Sequence, residues 1–232
     1  MDIFEAIKER HSVRQYLDKP IEGEVKEKLE KVIAECNKDG KLHIQLVCDE
    51  PQVFSSKLAS YGKFEGVKNY LVLAGHKGKS LDERCGYYGE KIVLEAQMLG
   101  LNTCWVKLTY KKIPDAYTLD KGEKVVAVIA IGYGETQGKE RKSKTGEQVC
   151  DDYVSMPKWF KDGVDAALLA PTATNQQKFK LWLVGNQAMA KAGMGPNTNL
   201  DLGIIKYHFE IGAGTDNFVW AKKDPNAVII TD

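Results

Sequence analysis

Two short polar segments, about 160 residues apart, carry the side chains best suited to holding a phosphorylated organic molecule. Arg10 and Arg14 flank Ser12 just past an amphipathic first helix, where we expect a short polar turn. Two guanidinium groups can clamp a phosphate with paired charge-assisted hydrogen bonds, which the point charge of a lysine cannot do. Asn175 and Gln177 lie in a Pro- and Thr-rich loop, and their amides both donate and accept, as the edge of a heteroaromatic ring requires.

At these residues the chain resembles the FMN-dependent nitroreductase family. In that family the first helix ends in R-x-S-x-R, matched here by Arg10, Ser12 and Arg14, and a later loop has the pattern A-P-S-S-x-N-x-Q-P-W. The resemblance implies that FMN is the cofactor and NAD(P)H the electron donor. The loop positions that match or replace the pattern are Ala170, Pro171, Thr172, Ala173, Asn175 and Gln177, followed by Lys178 and Phe179 in place of Pro-Trp.

The order of the two motifs differs from that of ordinary family members. There the loop follows the second helix, near residue 35, and each of two identical chains lends it to the partner's site. Here residues 35–41, E-C-N-K-D-G-K, lack the pattern. The chain therefore resembles the single-chain branch of the family, which implies a monomer with approximate halves 1–135 and 156–232 connected by 136–155. A swapped homodimer is the alternative.

A third segment, G-L-N-T-C-W from Gly100 to Trp105, corresponds to a turn into a strand that places backbone amides beside the flavin ring in the family. The resemblance gives this role to Thr103, Cys104, Trp105 and Val106. We interpret the Trp105 side chain as a core aromatic rather than a group that stacks on the flavin. Cys104 has no implied histidine neighbour, so we interpret it as a packing residue and not as a catalytic thiol.

The basic segment K-E-R-K-S-K, from Lys139 to Lys144, lies where family members place residues that complete the phosphate pocket. Lys142 and Lys144 fit this role best, with Arg141 as an alternative, and a solvated charge run is the competing interpretation. His11, inside the first motif, would donate to the phosphate or to the ribityl hydroxyls. An RNA-binding patch is disfavoured because the run has no interleaved aromatic residues.

Composition excludes several classes of protein. The 33 basic and 32 acidic residues give a net charge of +1, which argues against a nucleic-acid partner or an acidic membrane surface. Five cysteines show no C-x-x-C pair and no zinc spacing, so we expect reduced thiols in or near the core and a cytoplasmic location. The N-terminus has no apolar run, which predicts neither a signal peptide nor a membrane anchor. We expect no metal site.

Hydrophobic periodicity predicts an α+β fold with a mixed, largely antiparallel sheet flanked by helices, in two related halves. Asp2 and Glu5 form a capping-box start for a helix with the apolar face Ile3, Phe4 and Ile7. A second helix precedes a strand at 42–47, and a helix at 159–170 precedes a strand at 179–184. Helices bounded by glycines, 89–100 and 203–214, each precede a Trp-bearing segment, which supports an internal duplication.

Two glycine-containing patterns resemble nucleotide-binding motifs but fail on spacing. H-K-G-K-S, from His76 to Ser80, has Leu73 where a P-loop needs its first glycine, so we expect an ordinary strand-to-helix turn. I-G-Y-G-E-T-Q-G, from Ile131 to Gly138, has its last glycine one position late for a dinucleotide fingerprint.

The predicted function follows from the resemblance. In such an enzyme FMN carries the chemistry and the protein binds, orients and tunes it, so no catalytic side chain is assigned. The expected acceptor is a small organic molecule such as a nitroaromatic or a quinone. A non-reductase flavoenzyme of the same fold and a non-catalytic flavin-binding protein are the alternatives.

Overall fold

The structure, a computed structural model that describes residues 1–55 and 62–221, is an α+β fold with helices packed between and beside two sheets. This confirms the predicted fold class. The helices are α1 (Ile3–Glu9), α2 (Gly23–Gly40), α3 (Leu81–Met98), α4 (Gly146–Val149), α5 (Lys158–Leu168) and α6 (Thr198–Ala213), and the strands are β1 (Gln45–Val47), β2 (Tyr70–His76), β3 (Asn102–Val106), β4 (Glu123–Gly132), β5 (Phe179–Val184), β6 (Gln187–Ala192) and β7 (Val219–Trp220).

Helix α1 begins with the predicted capping box. The backbone N–H of Glu5 donates to Asp2 Oδ1 at 2.9 Å, and the N–H of Asp2 donates to Glu5 Oε2 at 3.0 Å. The predicted apolar face is only partly correct, because Ala6 and Ile7 are buried whereas Phe4 is 56% exposed. A seven-residue helix packs a single narrow face against its neighbours, so Phe4 is turned to solvent.

The first sheet has the strand order β1-β2-β4-β3, with every pair antiparallel. Strand β1 is shorter than the predicted strand at 42–47 because the backbone of Ile44 bonds to a helix side chain instead of a neighbouring strand. Its N–H donates to Asn37 Oδ1 at 2.6 Å, and its carbonyl accepts from Asn37 Nδ2 at 2.8 Å. Strands β2 and β4 are apolar along nearly their whole length and form the centre of the core.

The second sheet has the order β5-β6-β7, antiparallel between β5 and β6 and parallel between β6 and β7. Strand β5 has the predicted bounds, and helix α5 matches the predicted helix 159–170 within two residues at each end. The two series α2-β1-β2-α3-β3 and α5-β5-β6-α6-β7 have the same order of helices and strands. This order supports the predicted internal duplication.

Helices α3 and α6 cross at a contact that only glycine permits. A Cβ on Gly203 would lie 1.9 Å from the carbonyl oxygen of Glu83, and a Cβ on Gly86 would lie 2.0 Å from that of Leu200. The contact is reciprocal, since the glycine of each helix meets the carbonyl three residues before the glycine of the other. Such reciprocity is typical of an interface between two related units.

The predicted glycine-bounded helices were wrong in their starts. Helix α3 begins at Leu81 and α6 at Thr198, so Gly89 and Gly203 lie inside helices as sites of close packing. Gly100 and Gly214 do follow the helices, with φ of 80° and 74°. The H-K-G-K-S segment forms the expected turn between β2 and α3.

Four of the five cysteines are buried, as expected, but Cys48 is exposed after the short strand β1. All five are free thiols. In residues 1–55 and 62–221, no helix combines the length and the apolar character that crossing a bilayer requires.

Candidate functional site

A cavity of about 660 Å³ lies where four parts of the chain meet. They are the N-terminal segment that contains R-x-S-x-R (residues 10–14), strand β3, the connecting segment (residues 136–155) and the late polar loop (residues 170–177). The cavity therefore brings together residues from Ser12 to Ile204, which are 192 positions apart in the sequence. The predicted site residues that line it are Ser12, Arg14, Cys104, Trp105, Val106, Arg141, Pro171, Thr172, Ala173 and Asn175.

The R-x-S-x-R segment is extended, and the expected polar turn was wrong. Helix α1 ends at Glu9, its C-cap Arg10 has extended backbone angles, and Ser12 then forms a parallel bridge with Thr103 of β3. The N–H of Val13 donates to the carbonyl of Thr103 at 3.1 Å. The four consecutive residues 12–15, which include Ser12 and Arg14, all line the cavity.

The side chain of Arg10 lies apart from that of Arg14. Arg10 is 2% exposed, its Nε is 3.9 Å from Glu90 Oε1, and it is not among the residues that line the cavity. Burial lowers its pKa, opposed by the charge of Glu90. In the part of the chain that the structure describes, its Nε and Nη2 have no hydrogen-bond partner. A joint phosphate clamp by both arginines stays a prediction, and in this structure the exposed Arg14 alone of the two faces the cavity.

Glu90 organises the buried polar groups behind β3. Its Oε2 accepts a hydrogen bond from Trp105 Nε1 at 2.8 Å, and its Oε1 lies 2.8 Å from His208 Nε2. The indole of Trp105 also packs on α3, where a Cβ on Gly89 would come within 2.6 Å of the ring. The Trp105 side chain thus has interior partners, as its interpretation as a core aromatic requires.

Strand β3 contributes a buried thiol. Cys104 is 2% exposed, and burial raises its pKa despite a hydrogen bond with Ser12 and the charges of Arg14 and Arg10. The raised pKa keeps the thiol protonated at neutral pH, so it is a poor nucleophile. Thr103 is buried too and serves the site through its backbone bond to Val13.

The late polar loop has an unusual backbone. A 3₁₀ turn at Ala173–Asn175 includes left-handed angles, with φ of 49° at Thr174 and 55° at Asn175, and Gln177 follows at 43°. Strained conformations of this kind tend to occur at functional sites. Asn175 Nδ2 donates to the carbonyl of Lys142 at 2.7 Å, while its buried Oδ1 has no hydrogen-bond partner among residues 1–55 and 62–221.

The connecting segment docks on this loop. Residues 136–155 are therefore more than a polar link between the two halves. Arg141 Nη2 donates to the carbonyls of Leu169 and Ala170 at 2.7 and 2.6 Å. Burial and the nearby charge of Arg10 lower the pKa of Arg141 to about 10, with Glu90 opposing. The segment continues into α4, where Val149 is fully buried.

Four predicted residues, besides Arg10 and Thr103, do not line the cavity. Lys142 is exposed, and Lys144 and Gln177 bind each other beside the cavity. His11 is half-buried, and its pKa is lowered by burial and by the charges of Arg10 and Arg141. Contact of these side chains with a cofactor stays a prediction.

Sequence reasoning missed Asp201, a buried carboxylate on the first turn of α6 that lines the cavity. Its Oδ1 accepts from the N–H of Ala173 at 2.9 Å, and its Oδ2 accepts from Gln176 Nε2 at 2.7 Å. Burial raises its pKa, although these hydrogen bonds and the charge of Lys107 oppose the shift. No local motif marks it, and only the packing of α6 against the loop reveals it. The other unpredicted lining residues are Val13, Gln15, Lys107, Leu108, Thr109, Ala127, Thr136, Gly138, Lys139, Thr174, Asn197, Leu200 and Ile204.

The residues present fit a flavin mononucleotide. The volume is typical of a small-molecule site. Of the charged residues that line the cavity, four are cationic and one, Asp201, is acidic, which suits an anionic cofactor. The unpartnered Oδ1 of Asn175 is a buried acceptor that a ring N–H could satisfy. The four cationic residues are Arg14, Lys107, Lys139 and Arg141.

The fold is similar to that of a solved structure with a TM-score above 0.5, and two further solved structures match part of the chain. A protein described as a "putative nitroreductase", from Thermotoga maritima, is 24% identical with a TM-score of 0.68, over 97% of this chain and 90% of that one. A nitroreductase in complex with FMN, from Desulfovibrio desulfuricans, is 16% identical over 64% of this chain and 95% of its own, with a TM-score of 0.48. An FMN-dependent nitroreductase from Clostridium difficile is 21% identical over 66% and 96%, with a TM-score of 0.46.

No protein with a curated description matches the sequence. A family model does match, and its description is "Putative TM nitroreductase". The match covers residues 2–213, which include the N-terminal segment, strand β3, the connecting segment and the late polar loop that together enclose the cavity. The chain therefore belongs to this nitroreductase family and is an oxidoreductase.

Proposed function

We propose that the protein is an FMN-dependent oxidoreductase that takes electrons from NAD(P)H and passes them to a small organic acceptor such as a nitroaromatic or a quinone. The observation that carries the proposal is the single cavity to which both motifs contribute, with Ser12 and Arg14 from the first and Pro171 to Asn175 from the second. Bound FMN would supply the hydride transfer between donor and acceptor.

The protein's part is to bind and to orient. Arg14 is exposed and lines the cavity, and its carbonyl accepts from the N–H of Glu65 at 2.9 Å. It is our choice for the phosphate contact, with Lys139 as a second cation in the cavity lining. Asn175 Oδ1 would accept from the ring, and its own Nδ2 bond to Lys142 fixes the direction of that acceptor.

No side chain is assigned as a proton donor or acceptor. Both carboxylate oxygens of Asp201 already accept hydrogen bonds from the loop, so its evident role is to hold Ala173 and Gln176 in place. The cationic lining favours negative charge that develops on a bound ligand during reduction, because preorganised charges need no rearrangement at that moment.

We further propose that one chain forms one complete site and works in the cytoplasm. Both motifs reach the cavity within a single chain, and the α3–α6 crossing packs the two halves as partner subunits would pack. Five free cysteines suit a reducing compartment.

Anaerobic titration of the purified protein with NADH and with NADPH tests the proposal. We expect a yellow protein whose released flavin is FMN and whose visible absorbance bleaches with one of the two donors, then recovers when a quinone or nitroaromatic is added. FMN that is bound but not reduced would point to a binding protein or a different flavoenzyme. FAD in place of FMN would contradict the site assignment.

The variant Asn175→Ala sharpens the test. Because Asn175 offers an amide to a neutral polar edge and not a charge to the phosphate, we expect the rate of flavin reduction or the reduction potential to change more than FMN retention does. Lys178→Gln, at an exposed residue that follows the loop and is not among the residues that line the cavity, serves as the control for loop disturbance.

A further inference from the structure

A second cluster of chemically competent side chains lies at one end of the four-stranded sheet, apart from the cavity. It consists of His43, Asp120 and Glu123, each of which offers one ligand atom, and these atoms lie within 4.8 Å of one another. None of the three lines the cavity described above. The cluster has no part in the proposed flavin chemistry.

The three residues are held in position by backbone contacts from different segments. The N–H of His43 donates to the carbonyl of Ala74 in β2 at 2.8 Å. Asp120 and Glu123 bracket the turn before β4, where the N–H of Glu123 donates to the carbonyl of Asp120 at 3.0 Å. The N–H of Asp120 donates to Glu123 Oε2 at 2.8 Å. Asp120 and Glu123 are therefore close through one local turn, whereas His43, which is distant in sequence, meets them only because the sheet is folded.

His43 and Glu123 already form a close polar pair, with Nδ1 2.8 Å from Oε2. The Glu123 side chain is only 5% exposed and that of His43 is 28% exposed, so the pair is largely shielded, while Asp120 is exposed. The carboxylate of Glu123 is fixed against the imidazole of His43, and the carboxylate of Asp120 is in reach from the solvent side. A cation can enter this arrangement with little rearrangement.

A fourth potential ligand stands beside this pair. His76, the last residue of β2, is the register partner of Glu123 in the β2–β4 pair. Its Nδ1 would lie 3.6 Å from a Cβ on Gly122, within the same turn, and its charge acts on Glu123. The side chain of His76 is exposed and so has the freedom to turn toward the cluster.

We propose that His43, Asp120 and Glu123, with His76 as the fourth ligand, bind a divalent transition metal ion of the Zn²⁺ type. Imidazole nitrogen together with carboxylate oxygen is the donor set that Zn²⁺ and its neighbours accept, whereas Mg²⁺ and Ca²⁺ prefer oxygen alone. The ion would join the segment before β1, the end of β2 and the turn before β4, and so would stabilise this end of the sheet. The lysines adjacent to the ligands in sequence are Lys77, Lys121 and Lys124, and the ammonium of Lys124 is engaged 3.2 Å from Asp82.

The test is a calorimetric titration of tag-free, chelator-treated and desalted protein with Zn²⁺, and in parallel with Mg²⁺. The parent for this experiment is Cys48→Ser, because the exposed thiol of Cys48 is the obvious competing zinc ligand. We expect one Zn²⁺ per chain, no measurable Mg²⁺ binding, and a Tm that rises on addition of Zn²⁺.

Variants of the ligands decide the assignment. His43→Gln and Glu123→Gln are each expected to weaken Zn²⁺ binding at least tenfold and to abolish the rise in Tm, and His76→Gln to weaken binding by a smaller factor. Asp120→Asn changes an exposed side chain and supplies the same test if a more buried variant fails to fold. Asp115→Asn, an exposed aspartate outside the cluster, is the matched control. Zn²⁺ binding that is absent in the Cys48→Ser parent, or unchanged in the ligand variants, would overturn the proposal.

Discussion

Lys144 donates two hydrogen bonds to Gln177 where the connecting segment docks on the late polar loop. The N–H of Lys144 donates to Gln177 Oε1 at 2.8 Å, and Lys144 Nζ donates to the carbonyl of Gln177 at 2.7 Å. The amide of Gln177 also donates to the carbonyl of Leu168 at 2.8 Å and to Ser143 Oγ at 2.9 Å. Gln177 is 2% exposed, and its hydrogen bonds join the connecting segment to the late polar loop beside the cavity.

Replacement of Gln177 by alanine should therefore destabilise the protein. The change removes the acceptor of the part-buried Lys144 N–H and leaves the Leu168 carbonyl with the longer bond from Ser143 Oγ at 3.2 Å, which costs about 1–3 kcal/mol in the free energy of unfolding. The midpoint of urea unfolding measures the loss. Gln187→Ala, at an exposed glutamine in β6, is the control and should leave the midpoint unchanged. Equal midpoints for Gln177→Ala and the parent would show that the docking contact contributes nothing to stability.

Arg14→Ala should weaken the retention of FMN without loss of fold, because Arg14 is exposed and lines the cavity. Loss of one charge-assisted contact of about 1.5–3 kcal/mol corresponds to roughly tenfold to a hundredfold weaker binding. Fluorescence titration of apoprotein with FMN gives the Kd. Lys31→Ala, an exposed cation on α2, controls for the change in net charge. An unaltered Kd would show that Arg14 makes no contact with FMN and is only a solvated surface charge.

Gly203→Ala should be among the most damaging single-methyl substitutions in the chain. The added Cβ would lie 1.9 Å from the backbone oxygen of Glu83, so α3 and α6 must separate, at a cost of about 3 kcal/mol. Because Leu200 and Ile204 of α6 line the cavity, FMN binding should weaken as well. Gly78→Ala, where an added Cβ has nothing within 4 Å, is the matched control in thermal unfolding.

The ion pairs of Asp82 with Lys107 and Lys124 should make a pH-dependent contribution to the free energy of unfolding. Burial raises the pKa of Asp82, but Lys107 and Lys124, each 3.2 Å from one of its oxygens, outweigh this effect and lower the pKa overall. Since the folded-state pKa lies below the unfolded one, the stabilisation is present at neutral pH and is lost as the pH falls through the folded value.

Asp82→Asn should therefore lower the free energy of unfolding by about 1 kcal/mol at pH 7 and by progressively less in acid. Denaturant unfolding at a series of pH values, compared with the exposed control Asp115→Asn, measures the difference. A difference between Asp82→Asn and the parent that stays constant down to strongly acidic pH would refute the electrostatic origin.

One chain should carry one FMN as a monomer. Each motif occurs once in the sequence, and both reach the same cavity within the chain. Light scattering combined with flavin quantification should give the mass of a single chain and one FMN at high dilution. Loss of FMN on dilution from dimer to single chains would instead support a swapped homodimer.

The sequence by itself determined the elements and the family. The capping box at Asp2, the alternation in β5 and the glycines after α3 and α6 depend on neighbours within a few residues, so local pattern was enough to predict them. The R-x-S-x-R and N-x-Q motifs were legible because their residue types are unusual together, and the family match over residues 2–213 agrees with them.

Only the tertiary structure decided which side chain faces the cavity. Arg10 and Arg14 occupy equivalent positions in the R-x-S-x-R motif. In the folded chain, after the end of α1 and around the bridge to Thr103, Arg10 lies against Glu90 and Arg14 lines the cavity. Asp201 belongs to an ordinary helical turn and acquires its place through the packing of α6 on the loop. These assignments depend on contacts between segments distant in sequence, which no local pattern encodes.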